Sequence, residues 1–345
     1  MSATGFLTMP LSSEKNLLTN KPFLSFMIIY RNLRWSHILH YTWKSLLYYL
    51  LLSVLVVLLN DHFKLLALHM PFNTITVLST AVAIFLGFKN NNAYDRWWEA
   101  RQIWGLLVNE SRAWAREIIT MIIPGPTSDS EEVRLLQKQM IYRHIAFVHA
   151  LRVFLRRKYS YNQTGQEEIL EETNDYADTQ SFLPVAEYNL VSHKNNPPNY
   201  LLQLQGDDLR NAFNRGLISD YRFVKLEETL VAFNHIQGRC ERIKNTPFPR
   251  QYSFFSRVFV FIHASLLPFV FVEELGWATV PVSVIISFVF LSLDLVGERT
   301  EDPFENRLED VPLTSLSLTI ETNLKEQWGE NNFPIPKPPI KGIIL

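Results

Sequence analysis

The chain has little of what most enzymatic or metal chemistry is built from. Its 345 residues include one cysteine, Cys240, so no disulfide can close within the chain. A lone thiol identifies neither a compartment nor a reaction. Formal net charge is −1, which leaves no excess of base to grip nucleic acid. There is no HExxH, no CxxC, no phosphate-binding Gly-rich loop and no Gly-x-Ser-x-Gly elbow. His37 and His40 lie just before the first apolar block, and His144 and His149 are five apart, which misses a shared helical face. Both pairs read as solvated or core histidines rather than metal ligands. No cofactor, no metal site and no enzymatic activity are expected. The first thirty residues have short apolar stretches broken by Glu14, Lys15 and Lys21, with no small-residue cleavage site, so no signal peptide is expected.

What is present is unevenly distributed. The hydrophobic fraction of 47 % is ordinary, but the apolar residues are gathered in four blocks. A helix needs about 20 apolar residues to cross the hydrocarbon core of a bilayer. The first block runs over Tyr41 to Leu59, and Lys44 near its start can snorkel to the interface. The second lies between Lys64 and Lys89, with Pro71 marking its helix start. The third is Tyr252 to Val272, with Pro268 inside, and the fourth is Leu275 to Leu293, with Pro281 inside. Prolines that would break a soluble helix are tolerable in a membrane bundle, where neighbours satisfy the freed carbonyls. The expected fold is therefore an all-α integral membrane protein with four transmembrane helices in two pairs and a large cytosolic helical region.

Orientation follows from the bases. Arg31, Arg34 and Lys44 precede the first block, and Lys89, Arg96 and Arg101 follow the second. Arg242, Lys244 and Arg250 precede the third, and Arg299 and Arg307 follow the fourth. The connection between the first two blocks has Lys64 alone, and that between the last two has Glu273 and Glu274 and no base. By the positive-inside rule both termini and the central region are cytosolic, in a multi-pass protein of the cell membrane. The expected organisation is an N-terminal cytosolic segment 1–40, a first transmembrane pair 41–90, a cytosolic helical region 91–250, a second pair 251–295 and a C-terminal cytosolic segment 296–345.

From Asn91 the pattern becomes amphipathic, with Trp97, Trp98, Ile103, Trp104, Leu107 and Trp114 near helical spacing. Helix is also expected over Ser130 to Lys158, over Leu209 to Ile243, and from Pro312 to about Trp328. Tyr159 to Pro198 is polar, carries the acidic run Glu167, Glu168, Glu171 and Glu172, and ends in a Pro197-Pro198 break. Loops and short helices are expected there. Pro334 to Pro339 reads as an extended tail.

Several of these residues stand in a recognisable pattern. Ala83-Ile84-Phe85-Leu86-Gly87-Phe88 followed by Arg96-Trp97-Trp98-Glu99 resembles the bestrophin family, as does Val296-Gly297-Glu298-Arg299-Thr300-Glu301-Asp302-Pro303-Phe304. Cys240-Glu241-Arg242-Ile243 with Thr246-Pro247-Phe248-Pro249 looks like its prokaryotic branch. The motifs fall in the family's order over most of the chain, the polar insert around 160–200 excepted.

The resemblance implies a homopentamer in the lipid bilayer, around one central pore that passes inorganic ions. It places a pore neck at Thr80, Ile84 and Phe88. These residues lie four apart and so share one helix face. By periodicity alone such a stripe is more readily a helix-packing face; the resemblance assigns it to the pore. Five copies of an apolar ring can gate a pore by dewetting. Thr80 stands where the family usually has an apolar residue, so this neck is expected to be slightly wetter. A second constriction, the cytosolic aperture, is carried over to Leu230, with Val231 and Asn234 as neighbours. Animal members hold calcium in an acidic clasp, of which only the remnants Glu298, Asp302 and Asp310 match, and Arg307 intrudes. Calcium needs six to eight oxygens, so no calcium requirement is expected.

The family is best known for anions such as chloride, and that is the first expectation. A monovalent cation channel of the same fold is the alternative. Lys89 and Asp95 are the candidate selectivity charges: a ring of Lys89 would favour anions and a ring of Asp95 cations. Asp95 could instead pair with a neighbouring base. A membrane-anchored scaffold without conduction is a further alternative, which oligomeric state would separate from a channel. A membrane enzyme would need converging polar groups, and His263 and Asp294 are the candidates, with Asp294 placed at the membrane interface.

Overall fold

The computed structural model describes residues 35–63, 71–125, 129–157, 176–307 and 309–334, with two further short strands. The acidic run at 167–172 and most of the Pro-rich tail lie outside the described residues. Ten α-helices are described: α1 Trp35–Phe63, α2 Phe72–Met121, α3 Ser130–Leu155, α4 Ala177–Gln180, α5 Val185–Ser192, α6 Pro197–Asn214, α7 Asp220–Asn245, α8 Arg250–Leu275, α9 Thr279–Thr300 and α10 Leu313–Trp328. Two-residue strands β1 (Met27–Ile28) and β2 (Ile343–Ile344) pair antiparallel.

Three stretches are long and apolar enough to cross a membrane: Leu39–His62, Phe72–Met121 and Arg250–Thr300. The third contains two helices, α8 and α9, which pack against each other. Between them Gly276 takes φ 47°, a conformation costly for any residue with a Cβ, and a short 3₁₀ turn over Gly276–Ala278 follows. Pro281 falls in the first turn of α9, where its missing N–H has no intrahelical role, so it does not interrupt the helix. Pro268 does lie inside α8, which continues through it.

α2 is a single helix of 50 residues, roughly 75 Å long at 1.5 Å per residue. It starts after Pro71 and passes without a break through the expected boundary at 90–91. Side-chain pattern changes there, but the backbone does not. Asn90 would be a poor helix former alone; its side chain donates to the Leu293 carbonyl of α9 at 2.9 Å, which ties it down.

In the second region α3, α6, α7 and α10 pack with the C-terminal half of α2 around one large core. Trp104, Trp114, Phe147 and Phe233 are fully buried at its centre. Asp129 caps α3 by accepting from the Glu131 N–H at 3.0 Å, and Glu131 and Glu132 suit the positive end of the helix. Two expectations are corrected. Pro197 and Pro198 do not break the chain; they open α6, capped by Asn196, because proline fits a first helical turn. The helix expected over Leu209 to Ile243 is divided between α6 and α7, because Gly216 takes φ 69° between them.

Candidate functional site

Among the described residues, one face of α2 is left without a packing partner. Thr80, Ile84 and Phe88 all lie on it, Ile84 being 55 % and Phe88 66 % exposed. Val77, Asn91, Asn92 and Asp95 extend the same exposed face above and below. Asp95 is held by Asn91, whose amide lies 3.4 Å from it, and among the described residues no base pairs with it. The other face of α2 is packed: Ile75, Val82 and Leu86 meet Leu267, Val270 and Val260 of α8. The stripe is therefore a fixed face of a packed helix.

Lys89, expected as a possible pore charge, is not on that stripe. It is 1 % exposed and points the other way, with Nζ 2.8 Å from Asp294 of α9 and 2.9 Å from Ser256 of α8. The hydroxyl of Ser256 also donates to the Asp294 carboxylate, at 2.7 Å. A charge neutralised inside the protomer cannot form a free ring, so Lys89 is corrected from selectivity charge to buried partner. Asp294 is likewise buried in this pair rather than placed at a solvated interface. His263 lies elsewhere, bonded to Ser79 of α2 at 2.7 Å, so it and Asp294 do not converge on a common site.

Leu230 is also corrected. It is 3 % exposed, inside the large core, and cannot line a passage. The next residue, Val231, is 44 % exposed, and Asn234 shares its open side of α7. One residue along a helix rotates the side chain by about 100°, which is why neighbours in sequence differ here in burial.

Arg96 joins the long helix to the rest. Its guanidinium donates to three main-chain carbonyls: Ile243 at 3.0 Å and Thr246 at 2.9 Å, at the end of α7, and Glu301 at 2.8 Å, just past α9. These are carbonyls a helix leaves unpaired at its C-terminus, and a cation suits that end. Trp97 donates its indole N–H to the Glu309 carbonyl at 2.9 Å. The Arg-Trp pair thus fastens α2 to α7 and to the segment between α9 and α10.

The acidic residues of that segment are mostly engaged by bases. Glu298 pairs with Arg257 at 2.6 Å, Asp302 with Arg250 at 3.0 Å, and Glu305 with Lys244 at 2.7 Å. Asp310 is buried, and burial pushes its carboxyl up to about 7 although the Arg307 N–H donates to it at 3.1 Å. Among the described residues no three His, Cys, Asp or Glu side chains are grouped to hold a metal. In the core, His144 is bonded to Ser111 at 2.8 Å and burial lowers it to about 3, so it stays neutral. His149 is bonded to Glu321 at 3.0 Å. Neither is a ligand in a cluster.

Sequence reasoning missed the Lys89–Asp294 pair and the carbonyl contacts of Arg96. The first had a signal: opposite charges at the ends of two apolar blocks are expected to seek each other. The second had none beyond the Arg-Trp-Trp motif, because backbone acceptors are invisible in side-chain patterns.

A long helix with an open face, carried by a small apolar bundle and a larger helical body, defines a helical membrane protein. Residues 17–326 match the model of the bacterial and fungal bestrophin family, and the chain belongs to that family. Among its relatives is the voltage-dependent anion channel-forming protein YneE of Salmonella typhi, 34 % identical over 298 residues, covering 86 % of this chain and 90 % of the relative. The protein of the same description from Escherichia coli K12 is 33 % identical, covering 84 % of this chain and 88 % of the relative. The crystal structure of a bacterial bestrophin homologue from Klebsiella pneumoniae superposes with a TM-score of 0.73 at 30 % identity, covering 83 % of this chain and 98 % of that one.

Proposed function

We propose that the protein is an anion channel of the cell membrane, in which copies of the chain surround a central pore and Thr80, Ile84 and Phe88 form its neck. The exposed stripe of α2 carries this reading. An apolar face left open on a helix otherwise packed on α8 and α9 needs a partner, and copies of itself about an axis supply one. The relatives' description as anion channel-forming proteins supports chloride-sized anions as the permeant class. The number of copies in this reading is five, and the aperture is at Val231. Four crossings, α1, the apolar start of α2, α8 and α9, put both termini and the large helical core in the cytosol, in keeping with the bases that flank them. Domain limits near 40, 90, 250 and 295 go with this topology.

A specific observation favours a second reading. With Lys89 buried, Asp95 is the first exposed charge along α2 after Phe88. A ring of Asp95 would favour monovalent cations. Purified protein in liposomes, under a sodium chloride gradient, decides: a reversal potential that follows chloride supports the first reading, and one that follows sodium replaces it with the second. Calcium is not needed in either, because Glu298 and Asp302 are already engaged by arginines. Flux that rises steeply with micromolar calcium would overturn that part.

A further inference from the structure

Beside the neck, one residue from Phe88, the bundle holds a clasp that the reading above does not use. Lys89 of α2, Ser256 of α8 and Asp294 of α9 form a closed triangle of contacts at 2.7 to 2.9 Å. The clasp is tight. Asn90 holds the next carbonyl of α9, and a Cβ at Gly297 would fall onto the Asn90 side chain and 3.3 Å from Lys89 Cε. The nearest other charges are neutralised in turn: Arg257 with Glu298, and Arg250 with Glu301 and Asp302. A buried ion pair seldom stabilises more than well-packed apolar residues would. Ionisable residues at membrane depth mark function by default.

We propose that Lys89 and Asp294 are a charge-cancelling pair: by neutralising each other beside the neck they keep its field neutral, so that ions are sorted by the exposed stripe and Asp95. This rests on the assignment of the neck to Thr80, Ile84 and Phe88. The pair sits behind α2, within about one helix diameter, 10 Å, of the open stripe. An uncompensated charge at that range in a poorly screened interior alters the occupancy of a permeating ion by roughly tenfold. Repetition in every copy around the ring adds to the effect. Neutralising one partner therefore exposes the other electrically without moving it into the pore.

Four variants in liposomes test this, read by reversal potential under a sodium chloride gradient. Asp294→Asn, at mildly acidic pH, is expected to raise chloride over sodium permeability at least about fivefold. Lys89→Met, at mildly alkaline pH, is expected to shift the ratio as far the other way. The double variant Lys89→Met/Asp294→Asn and the exchange Lys89→Asp/Asp294→Lys are expected to stay within about twofold of wild type at either pH. Single variants that shift the ratio in the same direction, or not at all, overturn the proposal. A purely packing role would move stability without this opposition of sign. Altered selectivity in the double variant or in the exchange overturns the proposal as well. Silence of the wild type would remove the channel reading and this inference with it. Unchanged flux in Phe88→Ala, with a conducting wild type, would remove the neck assignment on which the inference stands.

Discussion

The two halves of this molecule bury their apolar residues by opposite strategies. The helical body built on α3, α6, α7 and α10 gathers them into one core in which Trp104, Trp114, Phe147 and Phe233 are sealed from solvent. The bundle of α1, α8, α9 and the start of α2 keeps only small internal patches, such as Val82, Leu86 and Val260. It turns Leu51, Leu55, Phe254, Phe261, Ile285 and Val289 outward. What the bundle does hold inside is polar: Ser79 with His263, and Lys89 with Ser256 and Asp294. In water that arrangement would be inside out. In a bilayer it is the expected one, because lipid offers no hydrophobic drive between helices and polar contacts join them instead.

The sharpest contrast should come from truncating an aromatic of the body. Trp114→Ala is expected to cost about 3–5 kcal/mol, since the cavity cannot collapse against Phe233 and His144. Unfolding in mild detergent, followed by near-ultraviolet circular dichroism, reads the loss. Arg96→Ala comes next, at about 2–4 kcal/mol, because three carbonyls lose their donor together. Arg96→Lys should recover little, since an ammonium cannot reproduce the planar fork. Gly297→Ala tests the contact of α9 with α2 inside the bundle: the added methyl meets Asn90, and a loss of about 1–3 kcal/mol with a lower melting midpoint is expected.

Asp310 makes the body sensitive to pH in a predictable sense. Its folded-state value near 7 lies above that of an unfolded carboxyl, so the native state holds the extra proton between the two values. Stability from this group is therefore present at low pH and lost as pH rises toward about 7, with no further loss above. Asp310→Asn should flatten that part of the melting-temperature profile. The smallest effect is expected on the outer side of the bundle: Leu55→Ala should change stability in lipid by less than about 1 kcal/mol, because the removed methyls faced lipid rather than a packed core. A loss as large as that of Trp114→Ala would mean that this face is covered by protein.

The apolar bundle was legible in the sequence because its signal is one-dimensional. Long uncharged runs, flanking bases and prolines at helix starts are local properties, and they located α1, the start of α2, α8 and α9. The stripe of Thr80, Ile84 and Phe88 was legible as a face, since periodicity fixes which residues share a side of a helix. What periodicity does not fix is which partner a side faces. Lys89 adjoins Phe88 in sequence but points to Asp294, 205 residues away. Leu230 and Val231 differ by one position, yet one is core and the other open. The break at Gly216 was missed because a single glycine inside a helical pattern is compatible with either continuation or a turn.

The most direct test of the central claim is thiol accessibility along α2 in conducting liposomes. Cys240 is buried with its thiol pushed well above its usual range by burial, so it contributes little background. Thr80→Cys, Ile84→Cys and Phe88→Cys should react with a small charged thiol reagent, and reaction should block or alter ion flux. Val82→Cys and Leu86→Cys, on the packed face, should not react. Equal reactivity on both faces, or reaction at the stripe without any change in flux, would contradict the assignment of this face of α2 to the pore.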